Sequence, residues 1–226
     1  MSLLSSMISL AAAGAMMLTS PLETAAPQHD IRGTLFLCNR QYMVSESFVP
    51  SPLRQAEVPG QVRRLREDAA AALEEMYAAF KEETGLTLIS VSGYRSYSSQ
   101  ENIWKRKLRS VKGDVEKAQE YVAPPGSSEH CLGLVMDIGQ KSKQHLTSVF
   151  GDTEGGSWTR ENAWRFGFIL RYDEGWEDVT GYSFEPWHYR YVGREFSKEI
   201  HDSGLPLETW LARYRADLLL NLVSGR

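Results

Sequence analysis

Apolar side chains recur at three and four positions between Gln61 and Thr84, at Val62, Leu65, Ala69, Leu73, Met76, Tyr77 and Phe80. This spacing predicts an amphipathic helix that Gly85 closes. Ahead of it, the run TLFLCNR (34–40) predicts a buried strand, and Pro50, Pro52 and Pro59 predict an extended connection. After it, LTLISVS (86–92) reads as a strand with Leu86, Leu88 and Val91 inward, broken at Gly93 into a loop carrying Tyr94 and Arg95. Ser98 and Glu101 form a capping-box pair that opens the next helix, and Asp114 caps a short one through VEKAQEYV, which must stop before Pro124 and Pro125. LGLVMDIG (132–139), FILRY (168–172) and YRYV (189–192) predict further strands. Thr159 is the expected cap of a short helix holding Ala163 and Trp164 that Gly167 ends, and 205–223 predicts a C-terminal amphipathic helix with Leu205, Leu207, Trp210, Leu211 and Leu218 available for packing. Polar loops separate these elements at 140–157 and 173–183, and no internal repeat is present. Helices mixed with a few short strands give an α+β domain.

Composition adds limits to this picture. With 226 residues and 42% hydrophobic content the chain can bury a full core. We expect an N-terminal segment, 1–30, and one domain, 31–226. Twenty-five basic against 29 acidic side chains leave a net charge of -4, which gives no electrostatic footprint for nucleic acid. Residues 2–22 carry no charge and are rich in Leu, Ala and Met, the composition of a signal or anchor core, yet no Lys or Arg precedes them. An amphipathic helix competes with export or anchoring there. Cys38 and Cys131 allow at most one disulfide, and buried free thiols are the expectation.

The chemistry concentrates in two stretches, SSEHCLGLVMDIG (127–139) and FEPWHYRYVG (184–193). A catalytic zinc keeps three protein ligands and one open position for water, and His130, Asp137 and His188 make such a set. His130 and Asp137 are seven apart and would face opposite ways on an unbroken strand, so Gly133 must supply a bend. Pro186 likewise excludes a regular strand between Glu185 and His188. Glu185 is then left as the base that takes the water's proton, because a fourth ligand would close the site. Taken singly, either histidine reads as a hydrogen-bonded core residue; with two carboxylates at these spacings the metal site is the better reading. Arg95, beside Gly93 at a strand end, offers a guanidinium for a substrate carboxylate or an oxyanion, although a loop arginine is more often a surface residue. Ser128 is either a turn-forming serine or a hydrogen-bond donor to substrate. On an extended backbone Cys131 points away from His130, and His29, His145 and His201 read as solvated. Tyr94, Trp187, Tyr189 and Tyr191 read as core or wall aromatics.

At these residues the sequence resembles the zinc D-alanyl-D-alanine carboxypeptidases of the VanY type, relatives of the vancomycin-resistance dipeptidases and of bacterial L,D-carboxypeptidases. The matching text is SGYRSYSSQ, YVAPPGSSEHCLGLVMDIG, ENAWRFGFILRY and TGYSFEPWHYRYVG, in the family's order. The resemblance implies a small, mainly antiparallel sheet flanked by helices, with one zinc per chain held on it by His130, Asp137 and His188. It implies Glu185 as general base and acid, Arg95 steadying the transition state or substrate carboxylate, and Ser128 and Gln100 near the terminal D-alanine. The implied substrate is a peptidoglycan stem peptide or its precursor, which puts the enzyme outside the cytoplasmic membrane, either secreted or tethered to the membrane through the N-terminal segment, where the family's basic-flanked signal or anchor is absent or cut short. L,D-carboxypeptidase and D,D-dipeptidase activities on the same scaffold remain alternatives, as does a non-catalytic zinc or cell-wall-binding module. Cys131 and Leu132 replace the more usual polar pair after the metal histidine. No oligomeric state follows from the sequence.

Overall fold

The fold centres on a four-stranded antiparallel sheet whose two middle strands carry Asp137 and His188. In a computed structural model of the protein, residues 27–141 and 146–224 are described. They hold a two-stranded ribbon of β1 (Leu53–Gln55) and β2 (Arg64–Arg66), and a sheet of β3 (Leu88–Ser92), β4 (Val135–Gln140), β5 (Phe168–Leu170) and β6 (His188–Tyr191) in the order β3-β4-β6-β5. All pairs in the sheet are antiparallel. Seven helices accompany them: α1 (Glu67–Thr84), α2 (Tyr97–Ser110), α3 (Val115–Gln119), α4 (Glu154–Asn162), α5 (Glu177–Thr180), α6 (Arg194–Ser203) and α7 (Leu207–Ser224). The α+β expectation holds.

The period-2 rule divides the sheet. Met136 and Ile138 of β4, with Tyr189 of β6 and Phe168 of β5, are buried in the core, which they share with Leu73, Met76 and Phe80 of α1. Trp158 of α4 meets Phe80 edge-on at a ring separation of 5.2 Å. The alternate positions Asp137, His188 and Arg190 are buried too, but they are polar, and that face carries the site.

Several elements begin elsewhere than the sequence pattern suggests. Residues 34–40 form no strand, because the Asn39 side chain accepts from the amides of Gln41 and Tyr42 and turns the chain before it can pair. Helix α1 starts at Glu67 rather than near Gln61, since Arg64–Arg66 is drawn into β2 by pairing with β1; Leu65 is buried from that strand and Val62 is exposed. The cap of α2 is Ser96, whose hydroxyl accepts from the Ser99 amide, in place of Ser98. Helix α3 ends at Gln119, short of the predicted stretch, while its Asp114 cap is as expected. Helix α4 begins five residues before the predicted cap: Thr153 caps it, and Thr159 lies buried inside, donating to the Gly155 carbonyl at 2.5 Å. The second polar loop contains α5.

The chain divides into two compact units. Leu37–Trp210 holds the sheet and every site residue discussed below. The other unit is Met1–Phe36 with Leu211–Arg226, described here by the short turn Pro27–His29 and the end of α7. The uncharged segment 2–22 and His145 lie outside the described residues. Among the described residues no helix is long and apolar enough to cross a membrane. Cys38 and Cys131 are buried free thiols.

Candidate functional site

Cross-strand register brings Asp137 and His188 together. Asp137 of β4 and His188 of β6 are direct partners, so their side chains share one face of the sheet. His130 arrives from a one-turn 3-10 helix, Glu129–Leu132, that Gly133 ends in the left-handed conformation at φ 67°. This is the bend that the spacing of His130 and Asp137 requires. A side chain at Gly133 would also crowd the ribbon, its Cβ falling 3.2 Å from the Arg66 amide nitrogen.

His130 Nε2 lies 3.4 Å from Asp137 Oδ2, and His188 Nδ1 lies 3.2 Å from Asp137 Oδ1. One ligand atom from each of the three residues can be chosen so that all lie within 4.8 Å of one another. Asp137 Oδ1 is buried and, although His188 Nδ1 lies close, it makes no hydrogen bond of good geometry, which is costly unless something else satisfies it. The outward nitrogens of both imidazoles are already occupied: His130 Nδ1 sits 2.8 Å from the Gly93 carbonyl oxygen, and His188 Nε2 sits 3.4 Å from Glu129 Oε2. Two imidazoles and one carboxylate, with an orphaned oxygen between them, fit a zinc ion with an open fourth position.

Glu185 stands at the edge of this group, Oε2 3.5 Å from His188 Nδ1 and partly exposed to the cleft. The turn that places it closes with the His188 amide donating to the Glu185 carbonyl, with Pro186 and Trp187 at its tip. Burial pushes the Glu185 carboxyl up to about 7, with Asp137 adding to the rise and His188 and Arg95 opposing it. Asp137 behaves in the opposite way. Burial raises it, but His130 and His188 overcome that and hold its carboxyl well below the usual range.

Arg95 is fixed on the other side of the cleft. Its backbone amide donates to the His130 carbonyl, and its guanidinium donates to Gln100 Oε1 at 2.8 Å and Ser92 Oγ at 3.2 Å. Gln100 is fully buried and gives its amide nitrogen to the Ala123 carbonyl at 2.6 Å, so both ends of its side chain engage protein partners. Ser128 lines the cleft, and its side chain makes no capping hydrogen bond. The cleft has a volume of about 510 Å³, and all seven residues singled out from the sequence line it. Cys131 stays outside the ligand group, buried in the 3-10 turn. His201 stacks on Trp164, away from the cleft.

The sequence reading missed Glu129, Arg171 and Arg190. Glu129 Oε1 accepts from Arg171 Nε at 2.9 Å and from Arg190 Nη1 at 2.7 Å, and Arg171 makes a two-pronged ion pair with Glu208 of α7. The partners of Glu129 lie 42 and 61 residues away in the chain. The local signals are the place of Glu129 beside His130 and the two arginines within the otherwise apolar strand runs FILRY and YRYV.

Comparison with known proteins extends the geometry. The VanY family, D-alanyl-D-alanine carboxypeptidase, matches residues 62–194. The chain belongs to the VanY family. It is 43% identical over 188 residues to the Bacillus subtilis (strain 168) protein YodJ, covering 80% of this chain and 68% of YodJ. A solved structure of the LdcB LD-carboxypeptidase superposes with a TM-score of 0.76 at 43% identity, covering 81% of this chain and 87% of that one. A zinc(II) complex of a variant of the vancomycin-resistance D,D-pentapeptidase VanY superposes with a TM-score of 0.65 at 35% identity, covering 79% of this chain and 98% of that one. Membership of this family, together with three residues, His130, Asp137 and His188, that could hold a metal ion, makes the VanY-type chain a zinc-dependent carboxypeptidase.

Proposed function

We propose that this enzyme removes the C-terminal D-alanine from peptidoglycan stem peptides or their precursors, with His130, Asp137 and His188 as zinc ligands. The observation that carries the reading is the separation of roles in one cleft: three ligand atoms within 4.8 Å, and Glu185 beside them with a proton affinity raised to about 7. Zinc, when bound there, supplies Lewis acidity that polarises the scissile carbonyl and acidifies a water. Glu185 takes the proton from that water and passes it to the leaving D-alanine nitrogen, a task suited to a carboxyl that titrates near neutrality. Arg95, held by Gln100 and Ser92, faces the negative charge that grows on the carbonyl oxygen or the substrate's terminal carboxylate. Ser128 donates a hydrogen bond to that carboxylate. Gln100 acts through Arg95, since its amide is already engaged at both ends.

A stem-peptide substrate puts this work outside the cytoplasmic membrane, with the N-terminal segment as leader or tether to the domain that follows. The likeness to LdcB favours one second reading, release of D-alanine from a tetrapeptide whose scissile bond follows an L-centre. Incubating the zinc-loaded protein with a pentapeptide, a tetrapeptide and free D-Ala-D-Ala, followed by mass spectrometry, separates these. The proposal expects loss of one alanine from the pentapeptide alone. Cleavage of the tetrapeptide with the pentapeptide left intact selects the L,D-activity, and no cleavage of any of the three removes catalysis from the account.

A further inference from the structure

Glu129 precedes a zinc ligand in the chain, yet no step above uses it. Its side chain is completely buried, and it sits between two buried guanidiniums. Oε1 is taken by Arg171 and Arg190, which leaves Oε2 facing His188 Nε2. Two guanidinium donors converging on Oε1 at 2.9 and 2.7 Å pair with it as a carboxylate anion. A carboxylate in that state only accepts, so the hydrogen between Glu129 and His188 belongs to the imidazole. His130 is held in the opposite sense, through Nδ1 by the Gly93 carbonyl, and the two rings meet edge to face at 5.1 Å.

We propose that Glu129 is a positioning residue for the metal: by accepting from His188 Nε2 it commits Nδ1 to the cation, and Arg190 together with Arg171, itself braced by Glu208, locks it in place. The two histidines then offer different nitrogens to one ion, His130 by Nε2 and His188 by Nδ1. A carboxylate partner also makes an imidazole a stronger ligand than a carbonyl partner does. Removing the charge of Glu129 would take a carboxylate away from two buried guanidiniums and so add positive charge beside a dication.

The inference rests on the zinc reading above, and two measurements on the full chain separate the two. Long-range proton–nitrogen NMR spectra of the zinc-loaded wild type should show His188 protonated at Nε2 with Nδ1 on the metal, and His130 the reverse. Zinc bound through His188 Nε2 overturns this proposal and leaves the zinc reading standing; failure to take up zinc overturns both. In the second measurement, zinc is competed against a chromophoric chelator using Glu129→Gln protein whose fold is checked by circular dichroism. Affinity should fall about 10- to 100-fold, the usual scale for an outer-shell partner. Unchanged affinity in the folded variant overturns the proposal, and should the variant fail to fold, the wild-type spectrum decides.

Discussion

Glu185 and His188 differ by three residues, but the turn at Pro186 and Trp187 brings their side chains to 3.5 Å. Only one of them belongs to the set whose ligand atoms converge, and this division of labour can be tested. Glu185→Gln keeps the shape of the side chain and removes the base, so it should bind zinc as the wild type does and release D-alanine at least ~10²-fold more slowly. Wild-type turnover in that variant would take the role of base from Glu185. Arg95→Ala should lower kcat/KM by about 10²- to 10³-fold. A fall mainly in kcat assigns Arg95 to the transition state and one mainly in KM to the substrate carboxylate, while unchanged kcat/KM removes it from both. His130, Asp137, His188 and Glu185 could be picked out from the sequence as residues that converge, because histidines and carboxylates at irregular spacings, next to Gly133 and Pro186, have few structural explanations. Glu129, Arg171 and Arg190 could not, because a charged residue read alone suggests a solvated surface, and only the fold shows that Glu129 pairs with both arginines in the interior, with Glu208 balancing the remaining charge.

Among the elements, the site depends on short irregular pieces more than on the long helices. The 3-10 turn bearing His130 ends at Gly133 in the left-handed region, and the Gly133 carbonyl accepts from the Arg66 amide at 2.8 Å, tying the turn to β2. Gly133→Ala places a Cβ in an unfavourable conformation, at a cost of about 1–2 kcal/mol. Thermal denaturation should show a midpoint lowered by roughly 2–8 °C, and an unchanged midpoint would mean that the turn relaxes freely. Boundaries were the least legible feature of the fold. The apolar period of α1 runs unbroken through Leu65, but the backbone of Arg64–Arg66 pairs with Leu53–Gln55, and such a non-local pairing leaves no mark on a helical period. The same holds at 34–40, where an apolar run with strand character is buried without pairing because the Asn39 turn intervenes. Thr159 rather than Thr153 reads as the cap because 140–157 reads as a loop; in the fold Gly156 lets the first turn of α4 pack against the Phe150 backbone, and Gly155 lets it pack against Gln140.

At the scale of the molecule, the strand order β3-β4-β6-β5 puts Asp137 and His188 on the two central strands and leaves room for the cleft on their polar face. This arrangement was legible as a class, α+β with short strands, but not as a topology, since strand order depends on pairings between segments about fifty residues apart. The account rests on one claim, that a single zinc held by His130, Asp137 and His188 enables release of D-alanine. The direct test is to strip the protein with chelator, titrate zinc back, and follow D-alanine released from a pentapeptide against zinc bound per chain. Activity should be absent in the stripped protein and rise in proportion to bound zinc up to one equivalent, then level off. Full D-alanine release by metal-free protein, or none after a full equivalent of zinc is bound, would contradict it.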